Sequence, residues 1–239
     1  ALFYVFSFYE GYNLLYFIYI YYSKVHRFIK KVRSKFLEDS KTDKQPLQNL
    51  LSHELEFKYA QSKEVLPGIR RIVAPNPSPY TLHGTGTYII GSGEIAIVDP
   101  GPNIPSHIEA IMNETKGEKI THILVTHTHA DHSPAAMVIK KNIDCTTFGY
   151  GPYKRKKFDT NFEEGHDLTF KPDVYLKDGD IVKGNGWTIR AIHTPGHTSN
   201  HMCYGLEENK ILFTGDHVMG WSTTVIVPPD GNMTSYLES

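Results

Sequence analysis

From Ile69 onward, short apolar runs alternate along the chain with segments that are rich in glycine and proline. Apolar and β-branched runs bounded by turn residues are typical of β-strands. Two of them, Thr87–Ile90 and Ile95–Asp99, flank Gly91-Ser92-Gly93 and predict a hairpin. The same pattern predicts further strands over Ile120–Thr126, Thr146–Gly149, Ile181–Val182, Trp187–Ile192, His201–Tyr204 and Ile211–Thr214.

One helix is predicted shortly after the strand Ile120–Thr126. Ser133 and Pro134 are residue types favoured at the N-cap and at the first helical position. Ala135–Lys141 then fills the helix, and Asn142 can end it. Because strands and helices alternate while several strands meet at tight turns, we predict an α/β fold with layered sheets and helices outside.

The two ends of the chain differ from this pattern. Residues 1–23 hold 11 aromatic side chains and are about long enough to span a bilayer, with a basic run behind them. Such a segment is typical of a membrane anchor with its basic side in the cytoplasm, of a peripheral helix or of a stretch of non-native translation. Residues 24–55 form a basic and polar linker. A helix that begins near Thr234 is expected to continue past Ser239, so we expect the domain to be truncated.

Charge and cysteine content narrow the class of protein. The net charge is −1, but residues 1–35 carry six basic residues and one acid, so the remaining chain is acidic. A protein that binds nucleic acid stably carries a basic patch, so the acidic charge of this part of the chain argues against that class. The two cysteines, Cys145 and Cys203, cannot form a disulfide framework, and we therefore expect a reducing, cytoplasmic location.

The chain contains 13 histidines, and the densest group directly follows a predicted strand. In His127-Thr128-His129-Ala130-Asp131-His132, four of six residues can bind a metal. Histidines two positions apart at an extended strand end point to the same side and can chelate one ion. Asp131 and His132 lie where the chain turns into the helix and can face a neighbouring position. Imidazole and carboxylate groups are zinc-type ligands.

Three more candidates lie at other strand ends. His197 follows a Pro-Gly turn after Trp187–Ile192, and Asp216 follows Ile211–Thr214. Loops at strand ends can converge on one site, so we predict that both side chains join the histidine cluster. Asp99 ends its own strand, and we expect its carboxylate to orient a ligand histidine.

Over about residues 69–239, the chain resembles the metallo-β-lactamase superfamily. The resemblance lies in the ordered set Asp99, His127-x-His129-x-Asp131-His132, Gly196-His197 and Gly215-Asp216. Segments 76–81, 84–88 and 220–225 are similar to a narrower branch around the β-lactamase-like protein 2 endoribonuclease. The resemblance implies a four-layer αββα sandwich over residues 56–239. It also implies two zinc ions, the first held by His127, His129 and His197. The second would be held by Asp131, His132 and a bridging Asp216.

The sequence departs from that family in one important respect. The superfamily supplies one more histidine after the position of Asp216, and no histidine follows His217 in this chain. The resemblance therefore implies an incomplete second metal site and a sandwich that is incomplete at its C-terminus.

These residues imply metal-assisted hydrolysis, in which Asp131 is the catalytic residue that orients the water or takes its proton. The substrate would be a small-molecule ester, thioester or amide, or a phosphodiester, and the branch resemblance points to single-stranded RNA. One alternative is an oxidoreductase similar to the persulfide dioxygenases, with a single iron. The other is an inactive fragment. A membrane is expected as a partner only if residues 1–23 are native, and the sequence leaves the oligomeric state open.

Overall fold

The structure, a computed structural model, describes residues 55–152 and 165–239. The aromatic segment 1–23 and nearly all of the predicted linker 24–55 lie outside these residues. Within the described part of the chain, no helix is both long enough and apolar enough to cross a membrane.

The first sheet has seven strands in the order in which they occur in the chain. The first four strands pair antiparallel, and the fourth to the seventh pair parallel. The strands are β1 (Ser62–Leu66), β2 (Ile69–Val73), β3 (Gly86–Ser92), β4 (Glu94–Val98), β5 (Lys119–Leu124), β6 (Thr146–Gly149) and β7 (Val174–Tyr175).

The second sheet has four antiparallel strands and packs face to face on the first. Its strands are β8 (Ile181–Gly184), β9 (Trp187–His193), β10 (Met202–Leu206) and β11 (Ile211–Phe213). They lie in the order β11-β10-β9-β8, so β9 and β11 run in the same direction on either side of β10.

Helices α1 (Pro105–Glu114) and α2 (Pro134–Lys140) cover the outer face of the first sheet. Strand β4 shows why this sheet is apolar on both faces. Ile95 and Ile97 pack with the helices, whereas Ala96 and Val98 pack between the sheets. Successive side chains of a strand point to opposite faces, so a strand covered on both sides is a continuous apolar run.

Tyr204 on β10 connects the two sheets inside their shared core. Its side chain is fully buried, and its hydroxyl donates a hydrogen bond of 2.7 Å to the carbonyl oxygen of Val125. Val125 directly follows β5, and the neighbouring carbonyl of Thr126 accepts from the backbone N–H of Met202 at 2.8 Å. The second sheet is therefore fixed against the loop that carries the histidine cluster.

The predicted α/β class with layered sheets is confirmed. The described residues build a helix layer and two sheet layers. After the second sheet they form a short 3₁₀-helix, Gly215–His217, and the helix α3 (Met233–Glu238). The predicted hairpin is β3–β4, with Ser92 opposite Glu94, and its turn is shorter than predicted.

One local prediction needs correction, and the strand β1 was missed. Ser133 precedes α2 as predicted, but its side chain does not cap the helix and instead donates to Asp167 Oδ2 at 2.9 Å. Strand β1 was not predicted, because its sequence, Ser-Lys-Glu-Val-Leu, is largely polar. Among the described strands it pairs with β2 alone, as an edge strand does, and edge strands tolerate polar residues.

We predict that Tyr204→Phe lowers the free energy of unfolding by about 1–2 kcal/mol, because the buried carbonyl of Val125 loses its hydrogen bond. Urea denaturation monitored by circular dichroism measures this change. Tyr175→Phe is the control, since that side chain is 54% exposed. Equal stability of the two variants would contradict the prediction.

A second prediction concerns His107 on α1, which is buried and lies 2.9 Å (Nε2) from Thr87 Oγ1. Burial lowers the pKa of His107 from 6.5 to about 4. The unfolded chain therefore binds the proton first, and stability falls as the pH drops from 6.5 towards 4. Between pH 7 and pH 5 we expect the wild type to lose about 2 kcal/mol more than His107→Gln. Parallel pH profiles of unfolding free energy would contradict this assignment.

Candidate metal centre

The predicted ligands lie at the ends of four strands that meet at one edge of the sandwich. Asp99 follows β4, and the His127–His132 segment follows β5, which pairs parallel with β4. In the second sheet, His197 follows β9 and Asp216 follows β11. These two strands run in the same direction. Both sheets thus deliver side chains to the same place.

His127, His129, His197 and Asp216 form the first group of ligand atoms. One ligand atom from each lies within 4.8 Å of all the others. His129 Nδ1 is 3.0 Å from His127 Nε2 and 3.0 Å from His197 Nε2. Asp216 Oδ2 is 3.6 Å from His197 Nε2 and 4.0 Å from His127 Nε2.

These spacings fit a bound ion better than a hydrogen-bond network. One imidazole nitrogen cannot donate a proton to two neighbours, so His129 Nδ1 cannot satisfy both contacts as a donor. Zinc–nitrogen bonds of about 2.0–2.1 Å in a tetrahedron separate the nitrogens by roughly 3.3 Å. His129 Nδ1 lies only slightly closer than this to the nitrogens of His127 and His197. The three nitrogens therefore surround a position suited to a metal.

A second group lies on the other side of the Asp216 carboxylate. His132 Nε2 is 3.4 Å from Asp216 Oδ1 and 3.2 Å from Asp131 Oδ2. Both His132 Nε2 and Asp131 Oδ1 are buried and lack a hydrogen-bond partner among the described residues. Because Asp216 presents Oδ2 to the first group and Oδ1 to the second, it lies where a bridging ligand would lie.

The carboxylate of Asp99 sets the orientation of two histidines. Its Oδ1 accepts from the backbone N–H of Thr126 at 2.8 Å, and its Oδ2 accepts from Thr126 Oγ1 at 2.7 Å and lies 2.9 Å from His132 Nδ1. Thr126 Oγ1 is also 3.0 Å from His127 Nδ1. Since the hydroxyl donates to Asp99, it accepts from His127 Nδ1–H. The Nε2 atoms of His127 and His132 are therefore left facing the centre.

His197 is oriented in the same way by the backbone. Its Nδ1 lies 2.5 Å from the carbonyl oxygen of Val225, which can only accept a proton. The Nε2 lone pair of His197 then faces His129 and Asp216. Hydrogen bonds that fix the other ring nitrogen are common features of metal-binding histidines.

Burial and charge affect these histidines differently. Burial, followed by neighbouring imidazoles, lowers the pKa of His127 and of His129 well below the ordinary value. Burial also disfavours the charged form of His132, but Asp131, Asp216 and Asp99 outweigh it and raise its pKa well above the ordinary value. Neutral His127 and His129 beside several carboxylates give the donor set that zinc prefers, and His132 would release a proton when it binds an ion.

Thr85 holds the Asp131 carboxylate in place. Its Oγ1 donates to Asp131 Oδ2 at 2.6 Å and accepts from Asn76 Nδ2 at 3.1 Å, while its backbone N–H donates to Asn76 Oδ1 at 3.0 Å. The sequence did not single out Thr85 as a site residue. Its position within the segment 84–88, which resembles the family, was the available signal.

His201 supports Asp216 through the main chain. Its ring is fully buried, and its Nε2 accepts from the backbone N–H of Asp216 at 3.2 Å. The preceding Gly215 has φ 48°, and a Cβ there would lie 2.8 Å from His201 Nε2 and 2.8 Å from Thr126 Oγ1. This turn therefore requires glycine. His201 contacts the site without joining either ligand group.

A cavity of about 400 Å³ opens from the second group of ligands. Asp99, Asp131, His132 and Asp216 line one part of it. The remaining wall is largely apolar and comes from β1–β4, from the strand β11 and from the segment that follows Asp216. A pocket of this kind beside a cluster of convergent polar groups is typical of a ligand-binding site.

Comparison with known proteins agrees with this arrangement. A curated relative, an atrochrysone carboxyl ACP thioesterase from Cryptosporiopsis sp. (strain 8999), is 32% identical over 170 residues, covering 69% of this chain and 48% of that protein. A lactamase-like protein from Aspergillus sp. (strain MF297-2) is 34% identical over 174 residues, covering 69% of this chain and 49% of that protein. The chain thus spans about half the length of the curated relatives that it matches.

Solved structures show the same fold. A metallo-beta-lactamase family protein from Thermus thermophilus superposes with a TM-score of 0.58 at 20% identity, covering 73% of this chain and 69% of that one. A beta-lactamase domain protein from Burkholderia ambifaria gives a TM-score of 0.56 at 23% identity, covering 74% of this chain and 62% of that one. The family model of the metallo-beta-lactamase superfamily matches residues 80–239, which include every predicted ligand. This chain belongs to the metallo-beta-lactamase superfamily.

Proposed function

We propose that residues 56–239 form a zinc-dependent hydrolase that cleaves thioesters. The observation that carries the proposal is the convergence of His127, His129, His197 and Asp216 within 4.8 Å, beside a second group that shares Asp216. The names of the relatives favour thioesters over the other substrates that such a centre could hydrolyse, because several of them are named as carboxyl ACP thioesterases.

We assign the ligands to two zinc ions in the way that the family resemblance implied. His127, His129 and His197 would hold the first zinc ion, and Asp131 and His132 would hold the second, with Asp216 shared. Zinc in such a centre lowers the pKa of a bound water to about 7 and polarises a carbonyl oxygen. These assignments rest on the donor types, on the inward-facing ring nitrogens and on the partnerless buried atoms His132 Nε2 and Asp131 Oδ1.

The remaining residues orient the reacting groups. Thr85 fixes Asp131 Oδ2, so that Asp131, as a ligand of the second group, would keep one orientation beside the water that it would orient or deprotonate. Asp99 keeps His132 in one tautomer, and Thr126 does the same for His127. The cavity next to these groups provides space for an acyl group. A cytoplasmic location and a small-molecule substrate stay predictions, as does the absence of a stable nucleic-acid complex.

We predict that His129→Ala lowers zinc content from two ions per chain to one or fewer. Its Nδ1 contacts both His127 Nε2 and His197 Nε2, so its loss opens the first group. We expect kcat/KM for an acyl thioester to fall by at least about 100-fold. Elemental analysis of protein purified without chelators and a thiol-release assay measure the two effects.

The matched control for this experiment is His193→Gln, a histidine at the end of β9 that stacks on Tyr150 outside the ligand groups. It should retain zinc and activity. Unchanged zinc content in His129→Ala would overturn the assignment of the first group. One iron per chain with oxygen uptake would favour the oxidoreductase over the hydrolase. Cleavage of single-stranded RNA without thioester hydrolysis would overturn the proposal that the substrate is a thioester.

A further prediction tests whether the hydroxyl of Thr85, rather than the volume of its side chain, positions Asp131. Thr85→Val removes the donor to Asp131 while keeping the side-chain volume, whereas Thr85→Ser keeps the donor. We expect zinc affinity at the second group to weaken by about 10–100-fold in the valine variant and to remain near wild type in the serine variant. Competition with a chromophoric chelator measures this affinity. Equal affinities in the two variants would contradict a positioning role for the hydroxyl.

A further inference from the structure

Arg71 places a cation in the wall of the cavity that opens from the metal centre. It lies on β2, where alternate residues face opposite sides of the first sheet. Ile69 faces the core between the sheets, and so does Arg71, two positions later. Its neighbour Arg70 faces the helices instead and pairs with Glu114 and Glu118 at 3.1 and 2.7 Å.

The guanidinium of Arg71 is only partly satisfied by the protein. Its Nη2 donates to the carbonyl oxygen of Glu56 at 3.2 Å. Its Nε is buried and has no hydrogen-bond partner among the described residues, and within that part of the chain no carboxylate forms an ion pair with it. A buried donor without an acceptor costs free energy, so an acceptor supplied by a ligand would be favoured.

The surroundings of Arg71 leave room for such a ligand. A Cβ added at Gly86 would lie 3.6 Å from Arg71 Cδ and 3.5 Å from Tyr88 Cε2. At these ordinary contact distances, the arginine stem and the tyrosine ring lie alongside the strand at Gly86. Tyr88 in turn packs against Phe213 of the second sheet, with ring centroids 5.2 Å apart. The wall between the cation and the metal centre is thus apolar and aromatic.

Strand pairing sets the spacing of the two polar ends of the cavity. Arg71 pairs with Tyr88 on β3, and Tyr88 pairs with Val98 on β4. Neighbouring strands lie about 4.8 Å apart, so the backbone at Arg71 is roughly 10 Å from the end of β4, where Asp99 contacts His132. A substrate that reaches both ends needs a reactive carbonyl and an anion separated by a short apolar chain.

We propose that this cavity selects thioesters whose acyl group ends in a carboxylate, and that Arg71 binds this carboxylate. The inference rests on the proposed thioesterase function and specifies its substrate class. The planar guanidinium presents its donors in a fixed geometry that matches a carboxylate, which gives both affinity and direction. Tyr88 and Phe213 contact the apolar chain between the two ends of the acyl group.

The test compares adipoyl and hexanoyl thioesters of N-acetylcysteamine, which have the same number of carbons and a neutral thiol. We expect the wild-type chain, supplied with zinc, to favour the adipoyl thioester by at least about tenfold in kcat/KM, mainly through KM. Arg71→Gln should lose this preference, and Arg71→Lys should recover part of it. Arg70→Gln is the matched control, because the neighbouring residue on the same strand faces the helices, and it should keep the preference.

Either of two outcomes with the N-acetylcysteamine thioesters overturns the proposal while leaving the thioesterase function in place. One is equal use of both thioesters by the wild type. The other is an unchanged preference in Arg71→Gln. Hexanoyl-coenzyme A is a third probe, since its thiol carries phosphates. If Arg71→Gln impairs only the coenzyme A thioester, the cation binds the phosphate of the thiol carrier, and the carboxylate assignment is wrong.

A binding measurement separates failure of this inference from failure of the proposed function. If the zinc-loaded wild type hydrolyses none of the thioesters, the thioesterase function is overturned. Calorimetric titration with adipate and hexanoate then tests the cavity directly. Tighter binding of adipate by the wild type, lost in Arg71→Gln and kept in Arg70→Gln, supports carboxylate recognition. Equal binding of the two acids overturns it.

Discussion

The buried carboxylate of Asp99 is the contact on which the metal centre depends. It accepts hydrogen bonds from the backbone and hydroxyl of Thr126 and lies 2.9 Å from His132 Nδ1. These bonds join the ends of β4 and β5 to the turn that begins α2. A buried carboxylate is costly unless its oxygens are satisfied, so the contacts that stabilise Asp99 also fix His127 and His132 with their Nε2 atoms facing inward.

The second sheet completes the centre by bringing Asp216 against the loop of the first. Tyr204 and the backbone of Met202 hold this sheet to the segment that follows β5. Gly215 allows the chain to turn next to His201, whose ring accepts from the N–H of Asp216. One carboxylate can face both ligand groups because the packing of the two sheets sets its position.

The sequence predicted most of the elements that present the site. The apolar runs of β3, β4, β5 and β9 are visible because each buries side chains on the core of a sandwich. The polar edge strand β1 and the two-residue strand β7 carry no such pattern, and their pairing depends on neighbouring strands. The spacing of His127, His129 and His132 indicated a metal because local geometry alone brings these side chains together.

Other features were decided only by the tertiary structure. The bond from Thr85 to Asp131 spans 46 positions, and the approach of His197 to His129 spans 68. Such contacts follow from strand register and sheet packing, which no local pattern specifies. The orientation of Arg71 towards the cavity was also decided by the tertiary structure, because the sequence shows only two adjacent arginines. The sequence determined by itself which residue types could bind a metal, whereas the packing of the sheets decided which of them meet and which cation faces the cavity.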